Sequence, residues 1–206
     1  GVANAQAPTA RTTLDIYVID VEGGNATLFV PPSGQSVLMD TGNVAPDAAK
    51  RDAARIMAAV KDAGLTQIDH LITTHWHGDH YGGLAELASH IPIRQFIDHG
   101  ANIQPAEATD AFLNTTYPAL YATATHTVVK PGDTIAFAGV TTRVVASAGQ
   151  VIAKPLPGAG KSNPSCNIPR RPTQPIPEDT QSVTTHFTFG RFRALHPGDL
   201  TTDKEF

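Results

Sequence analysis

The sequence predicts a single α+β domain, and three observations predict it. Short stretches alternating apolar with polar residues fill the chain up to Asp40 and recur after Thr127, the mark of half-buried strands. One long apolar stripe at helical spacing, Pro46 to Ala63, lies between them. A 206-residue chain with 41% hydrophobic and 17% charged residues has the size and composition to bury one substantial core.

Taken in order, Thr12 to Val21 reads as a strand with Leu14, Ile16 and Val18 on one side. Glu22 to Asn25 turns the chain, Ala26 to Val30 is a second strand, and Pro31-Pro32-Ser33-Gly34 is a hairpin turn. Ser36 to Met39 returns as a third strand and ends at Asp40-Thr41-Gly42. In the helix, Ala49, Ala53, Ile56, Met57 and Val60 form the buried stripe, with Lys50, Arg51, Asp52, Arg55 and Lys61 mostly off it; Gly64 ends the helix. Ile68 to Thr73 is a short buried strand, and a helix begins at Gly82. Ile93 to Ile97 is another strand, leading into Asp98-His99-Gly100. Glu107 to Thr123 is helical, with a break or kink expected at Pro118, which lacks an amide donor. Ile135 to Ala138, Thr142 to Ala146, Val183 to Phe189 and Phe192 to Leu195 are strands. The segment 155–177 carries seven prolines and reads as a long loop within the single domain 12–206.

Composition narrows the function. A net charge of −4 provides no global basic surface, so the chain has no dedicated nucleic-acid-binding patch. No apolar run is long enough to span a bilayer. One cysteine, Cys166, excludes an intrachain disulfide. Ala3-Asn4-Ala5 fits a signal-peptidase site with cleavage before Gln6, so residues 1–11 are expected to be the flexible remnant of a leader on a periplasmic or secreted protein.

The stretch richest in chemistry is Thr73-Thr74-His75-Trp76-His77-Gly78-Asp79-His80-Tyr81-Gly82-Gly83, with three imidazoles and a carboxylate in six residues. These are ligands of borderline and hard divalent metals. They follow a strand, on the loop where open α/β sheets place their sites. On extended backbone His75 and His77 point to one side and would grip one cation; Asp79 and His80 would grip a second. Two neighbouring cations would draw the pKa of a shared water from ~15.7 towards ~7, giving a nucleophile at neutral pH. Gly78, Gly82 and Gly83 are expected to permit tight turns around the site.

This pattern resembles the metallo-β-lactamase-fold superfamily. The likeness rests on His-x-His-x-Asp-His at His75, His77, Asp79 and His80 and on Leu38-Met39-Asp40-Thr41-Gly42 upstream. Leu195-His196-Pro197-Gly198-Asp199 adds to it downstream. It spans about Leu14 to Leu200. Within the superfamily, Asp20-Val21-Glu22-Gly23-Gly24-Asn25-Ala26, Lys130-Pro131-Gly132-Asp133 and Asp179-Thr180-Gln181-Ser182-Val183 are similar to signatures of the extracytoplasmic domain of competence (DNA-uptake) proteins.

The resemblance implies an αββα sandwich with its site at one edge of two sheets. It implies up to two zinc ions: His75 and His77 on the first, Asp79 and His80 on the second, and Asp199 bridging them. Asp40 would orient the histidines, and Asp79 would also help orient the attacking water. Trp76, Tyr81, His99 and His196 are candidates to line the pocket; His70, His90, His126 and His186 read as ordinary surface or strand residues. A turn aspartate remains the alternative for Asp199, and a loop cap for Asp40.

The pattern departs from the family in two places. Ala146-Ser147-Ala148 stands where the family has a further histidine, and a later histidine together with a last strand and helix is expected beyond the bridging aspartate. The expected function is a zinc-dependent hydrolase acting on an ester, lactam or phosphodiester. The alternative is a non-catalytic or metal-poor domain of the same fold. Bare sheet surface would favour a homo-oligomer.

Overall fold

A computed structural model describes residues 11–159, 176–201 and 204. The leader reading for residues 1–10, Cys166 and most of the proline-rich segment lie outside the described residues.

Two sheets face each other. The first has six strands in spatial order: β1 (Asp15–Val18), β2 (Thr27–Val30), β3 (Val37–Met39), β4 (His70–Ile72), β5 (Gln95–Asp98) and β6 (Thr125–Val128). β1 to β3 pair antiparallel, and β3 to β6 run parallel. The second sheet contains β7 (Thr134–Phe137), β8 (Val140–Ser147), β9 (Gln150–Val151), β10 (Thr184–Phe189) and β11 (Phe192–His196), in the path β11-β10-β8-β7 with β9 beside β8. Helices α1 (Pro46–Asp62), α2 (Gly78–Tyr81), α3 (Leu84–His90), α4 (Glu107–Ala111) and α5 (Tyr117–Leu120) belong to the connections of the first sheet.

Strand alternation explains the layering. Leu28, Val30, Leu38, Leu71 and Phe96 pack with Ala53, Ile56, Val60, Leu84 and Leu87 of the helices. Their neighbours Phe29, Val37, Met39, Ile72 and Ile97 point the other way, onto Ile135, Val144 and Phe187 of the second sheet. The inner strands β2 to β5 are therefore buried on both faces, as strands between crossover helices and a second sheet require. Phe29 and Phe187 stack across the intersheet core with ring centroids 4.3 Å apart. The described residues thus show the helix–sheet–sheet layers of the expected αββα sandwich. Among the described residues no helix covers the outer face of the second sheet, where Val151 and Leu195 are exposed.

Several local expectations are refined. β1 forms, but Ile16 and Val18 face outward while Tyr17 and Ile19 pack against the core, because β1 is an edge strand whose outer face has no cover. In α1 Ala53, Ile56 and Val60 of the predicted stripe are buried and Ala49 and Met57 half-buried, and Asp52, which the helical pattern put off the stripe, is buried too. Asp52 Oδ2 accepts the Asn43 amide at 2.8 Å, tying the helix to the loop after β3. Pro118 does not break its helix. A π-helical segment, Phe112–Thr116, lies between α4 and α5, and Pro118 falls in the first turn of α5, where an amide donor is not needed.

Candidate metal centre

The site forms where β3, β4 and β5 deliver their C-terminal ends against the start of β10 and the end of β11. After β4 the chain runs through Thr73 to His77 and enters α2, so Asp79 and His80 sit on a single helical turn. Thr74 O accepts the Val183 amide at 2.8 Å, joining this loop to the second sheet.

The expected turn-making role of the glycines is corrected. Gly82 (φ −63°) and Gly83 (φ −81°) have ordinary helical backbones, and what they supply is space. A Cβ on Gly82 would lie 2.0 Å from Val44 N, and one on Gly83 would lie 2.2 Å from Thr41 O. The loop after β3 is thereby pressed against the ligand-bearing helix.

Two convergent donor groups share His75. In one, His75, His80 and Asp199 approach each other; in the other, His75, His77 and Asp179 do. In the second group His75 Nε2 is 3.0 Å from His77 Nδ1. Asp179 Oδ1 lies 2.8 Å from His77 Nδ1 and 3.4 Å from His75 Nε2. Donors ~2.0–2.1 Å from one tetrahedral ion are about 3.3 Å apart, so this triangle has the dimensions of a cation site. His80 Nε2 is 3.6 Å from Asp199 Oδ1 and 3.9 Å from Asp79 Oδ2, a second grouping of the predicted ligands. Imidazoles and carboxylates converging at these distances suit a divalent transition metal.

Asp40 organises the group from beneath. It is fully buried at φ 62°, a left-handed conformation that aspartate tolerates better than most residues. Its Oδ1 accepts the Thr74 amide at 2.7 Å; its Oδ2 accepts Thr74 Oγ1 at 2.8 Å, Asn25 Nδ2 at 3.1 Å and His80 Nδ1 at 2.9 Å. The last contact leaves His80 Nε2 facing the cavity. Burial alone would raise the Asp40 carboxyl, but the His80 charge and the hydrogen bonds outweigh it and hold it low. Burial also opposes charge on His80, yet Asp40 and Asp199 together lift it to about 10. His75 falls to about 4, chiefly through burial and then the neighbouring His80, so it stays neutral with a lone pair to offer.

The remaining predicted residues divide. His196 Nε2 accepts Asn25 Nδ2 at 3.2 Å, close to Asp40 and behind the ligands. Trp76 and Tyr81 do not line a pocket. Both are buried in the helix-side core, because Trp76 Nε1 is tied to Gly100 O at 2.7 Å and Tyr81 Oη to Thr109 at 3.0 Å. His99 is buried rather than pocket-facing, paired through Nε2 with Glu178 Oε1 at 2.8 Å.

Three functional candidates were missed in the sequence: Asn25, Glu178 and Asp179. Asn25 stands at a departure from the signature it resembles. Glu178 and Asp179 close the proline-rich segment, and only the fold brings them to the histidines, about a hundred residues away in the chain.

This fold and donor arrangement define a class of protein. A family model for the metallo-beta-lactamase superfamily matches residues 19–199, and the chain belongs to that superfamily. Among curated relatives it is similar to a hydroxyacylglutathione hydrolase of Rhodopseudomonas palustris, 32% identical over 122 residues, which is 59% of this chain and 37% of the relative. It is also similar to the lactamase-like protein nscB of Neosartorya fischeri, 33% identical over 90 residues, 39% of this chain and 26% of the relative. The chain thus spans well under half of the curated relatives it matches. Among solved structures, a metallo-beta-lactamase HARLDQ-motif mutant of Cronobacter sakazakii shares the fold at a TM-score of 0.53 and 13% identity, covering 91% of this chain and 63% of that one. Among the described residues no helix is long and apolar enough to cross a membrane.

Proposed function

We propose that the chain is a zinc-dependent hydrolase that turns a water into the nucleophile at a two-cation site. The observation that carries this is the pair of convergent donor groups that share His75, one with His80 and Asp199 and one with His77 and Asp179, with the His80 ring held by buried Asp40. His75 and His77 would hold the first cation and Asp79 and His80 the second, with Asp199, near both His75 and His80, available to both. The bound cations supply charge that favours the hydroxide form of water and polarises the scissile group. The protein's own part is orientation. Asp40 fixes the His80 ring, Asn25 braces Asp40 and His196, and Asp79, partly exposed, helps orient the attacking water. The substrate is an ester, lactam or phosphodiester, and similarity to a hydroxyacylglutathione hydrolase and a lactamase-like protein supports the acyl members of that range.

Metal analysis and a substrate panel test the reading. The expected result is zinc near stoichiometry and turnover of nitrocefin, a nitrophenyl ester or bis(p-nitrophenyl) phosphate, abolished by His77→Ala. A wild-type protein that binds zinc yet hydrolyses nothing on the panel would instead be a non-catalytic member of the superfamily.

A further inference from the structure

Glu178 and Asp179 are neighbouring carboxylates that face in different directions. Glu178 is fully buried. Its Oε1 accepts the Trp76 amide at 2.9 Å and His99 Nε2 at 2.8 Å, and its Oε2 accepts the Ile103 amide at 3.0 Å. Trp76 is the residue between His75 and His77, so Glu178 grips the ligand loop by its backbone midway between the two imidazoles. The same grip sets the position of Asp179.

The Asp179 side chain is only 10% exposed, yet its Oδ1 has no hydrogen-bond partner among the described residues. The His77 and His75 nitrogens at 2.8 and 3.4 Å are near enough but poorly directed for hydrogen bonds. A desolvated carboxylate oxygen without a donor is costly, and a cation at the centre of the triangle removes the cost.

We propose that Asp179 is a further protein ligand, beside the shared Asp199, of the cation held by His75 and His77, and that Glu178 is the positioning residue that sets it there. The assignment rests on the two-cation reading above and deepens it. It accounts for the chain having Ala146-Ser147-Ala148 where the family's further histidine is expected: the ligand comes from another segment and is a carboxylate. With Asp199 shared, the first site then has two imidazoles and two carboxylates, a harder donor set than three imidazoles and one carboxylate, which moves its preference toward manganese or iron relative to zinc.

The test is cation binding, read apart from turnover. Calorimetric titration of the whole chain with Zn²⁺ and Mn²⁺ is expected to show two equivalents in the wild type. Asp179→Ala is expected to lose one equivalent or at least 100-fold in its affinity, with the circular dichroism spectrum retained. Glu178→Gln is expected to weaken that same equivalent 10–100-fold, as changes behind a metal ligand do. Asp179→His is expected to restore binding, to raise the zinc-to-manganese preference and to shift the visible absorption of the Co²⁺-loaded protein. This last variant decides the matter if Asp179→Ala fails to fold. Wild-type affinity in Asp179→Ala, or a cobalt spectrum unchanged in Asp179→His, overturns the assignment. A wild type that binds no cation overturns it together with the hydrolase reading. Loss of one equivalent in Asp179→Ala from a wild type without turnover upholds the ligand and removes only the hydrolase.

Discussion

Asp40 shows how much a single side chain organises. Four donors converge on its carboxylate, from the ligand loop, from Asn25 and from His80. Asp40→Asn keeps the shape and the tolerance of a left-handed backbone but presents an amide to donors. It is expected to reduce zinc affinity 10–100-fold in a competition titration with a chromophoric chelator. A second prediction concerns His126 at the far end of the first sheet. Its Nε2 lies 2.7 Å from Asp98 Oδ2, and that hydrogen bond raises its pKa above the usual 6.5 against the pull of burial. A raised folded-state pKa contributes stability that is full below about pH 6.5 and is lost as pH rises through the raised value. His126→Phe, which keeps a ring against Tyr121, is expected to lower the melting temperature at pH 5.5 and to converge on wild type at pH 9.

At the scale of elements, the loop after β3 and the α2–α3 corner hold the site by close backbone approach. Gly82→Ala would drive a methyl into Val44 N at 2.0 Å, whereas Gly34→Ala meets nothing within 4 Å and is strained only by its φ of 77°. Urea denaturation is expected to show about 3 kcal/mol lost for Gly82→Ala and about 1 kcal/mol for Gly34→Ala.

These elements also mark what a sequence reveals. The His75 to His80 cluster is legible as a candidate site because its imidazoles and carboxylate are contiguous and their spacing suggests their direction. The strands of the first sheet and α1 are legible because periodicity reports burial. Asp179 stands out only as the start of a signature, and nothing in its spacing ties it to the histidines until the fold sets it beside His77. The outward face of β1 was hidden because alternation names two sides of a strand without saying which is covered. Pro118 misled because a π-helical segment just before it shifts the hydrogen-bonding frame.

Across the whole molecule, the two cores meet the site differently. The helix-side core supports the loop that carries His75 to His80, while the intersheet core fixes the starts and ends of β10 and β11 that carry Asp179 and Asp199. Between the ligand loop and Asp179 the chain runs about a hundred residues, including all of β5 to β9. A cation shared by both ends, as proposed above, would therefore act as a clasp on a long loop. While it is closed, β10 and β11 cannot peel from the first sheet without releasing a ligand. Amide hydrogen exchange carries the signature of such a clasp. Zinc is expected to slow exchange in β10 and β11 by an order of magnitude or more and to leave β2 and β3 nearly unchanged, and equal slowing in all four strands would show that the ion stabilises the domain without stitching its halves together.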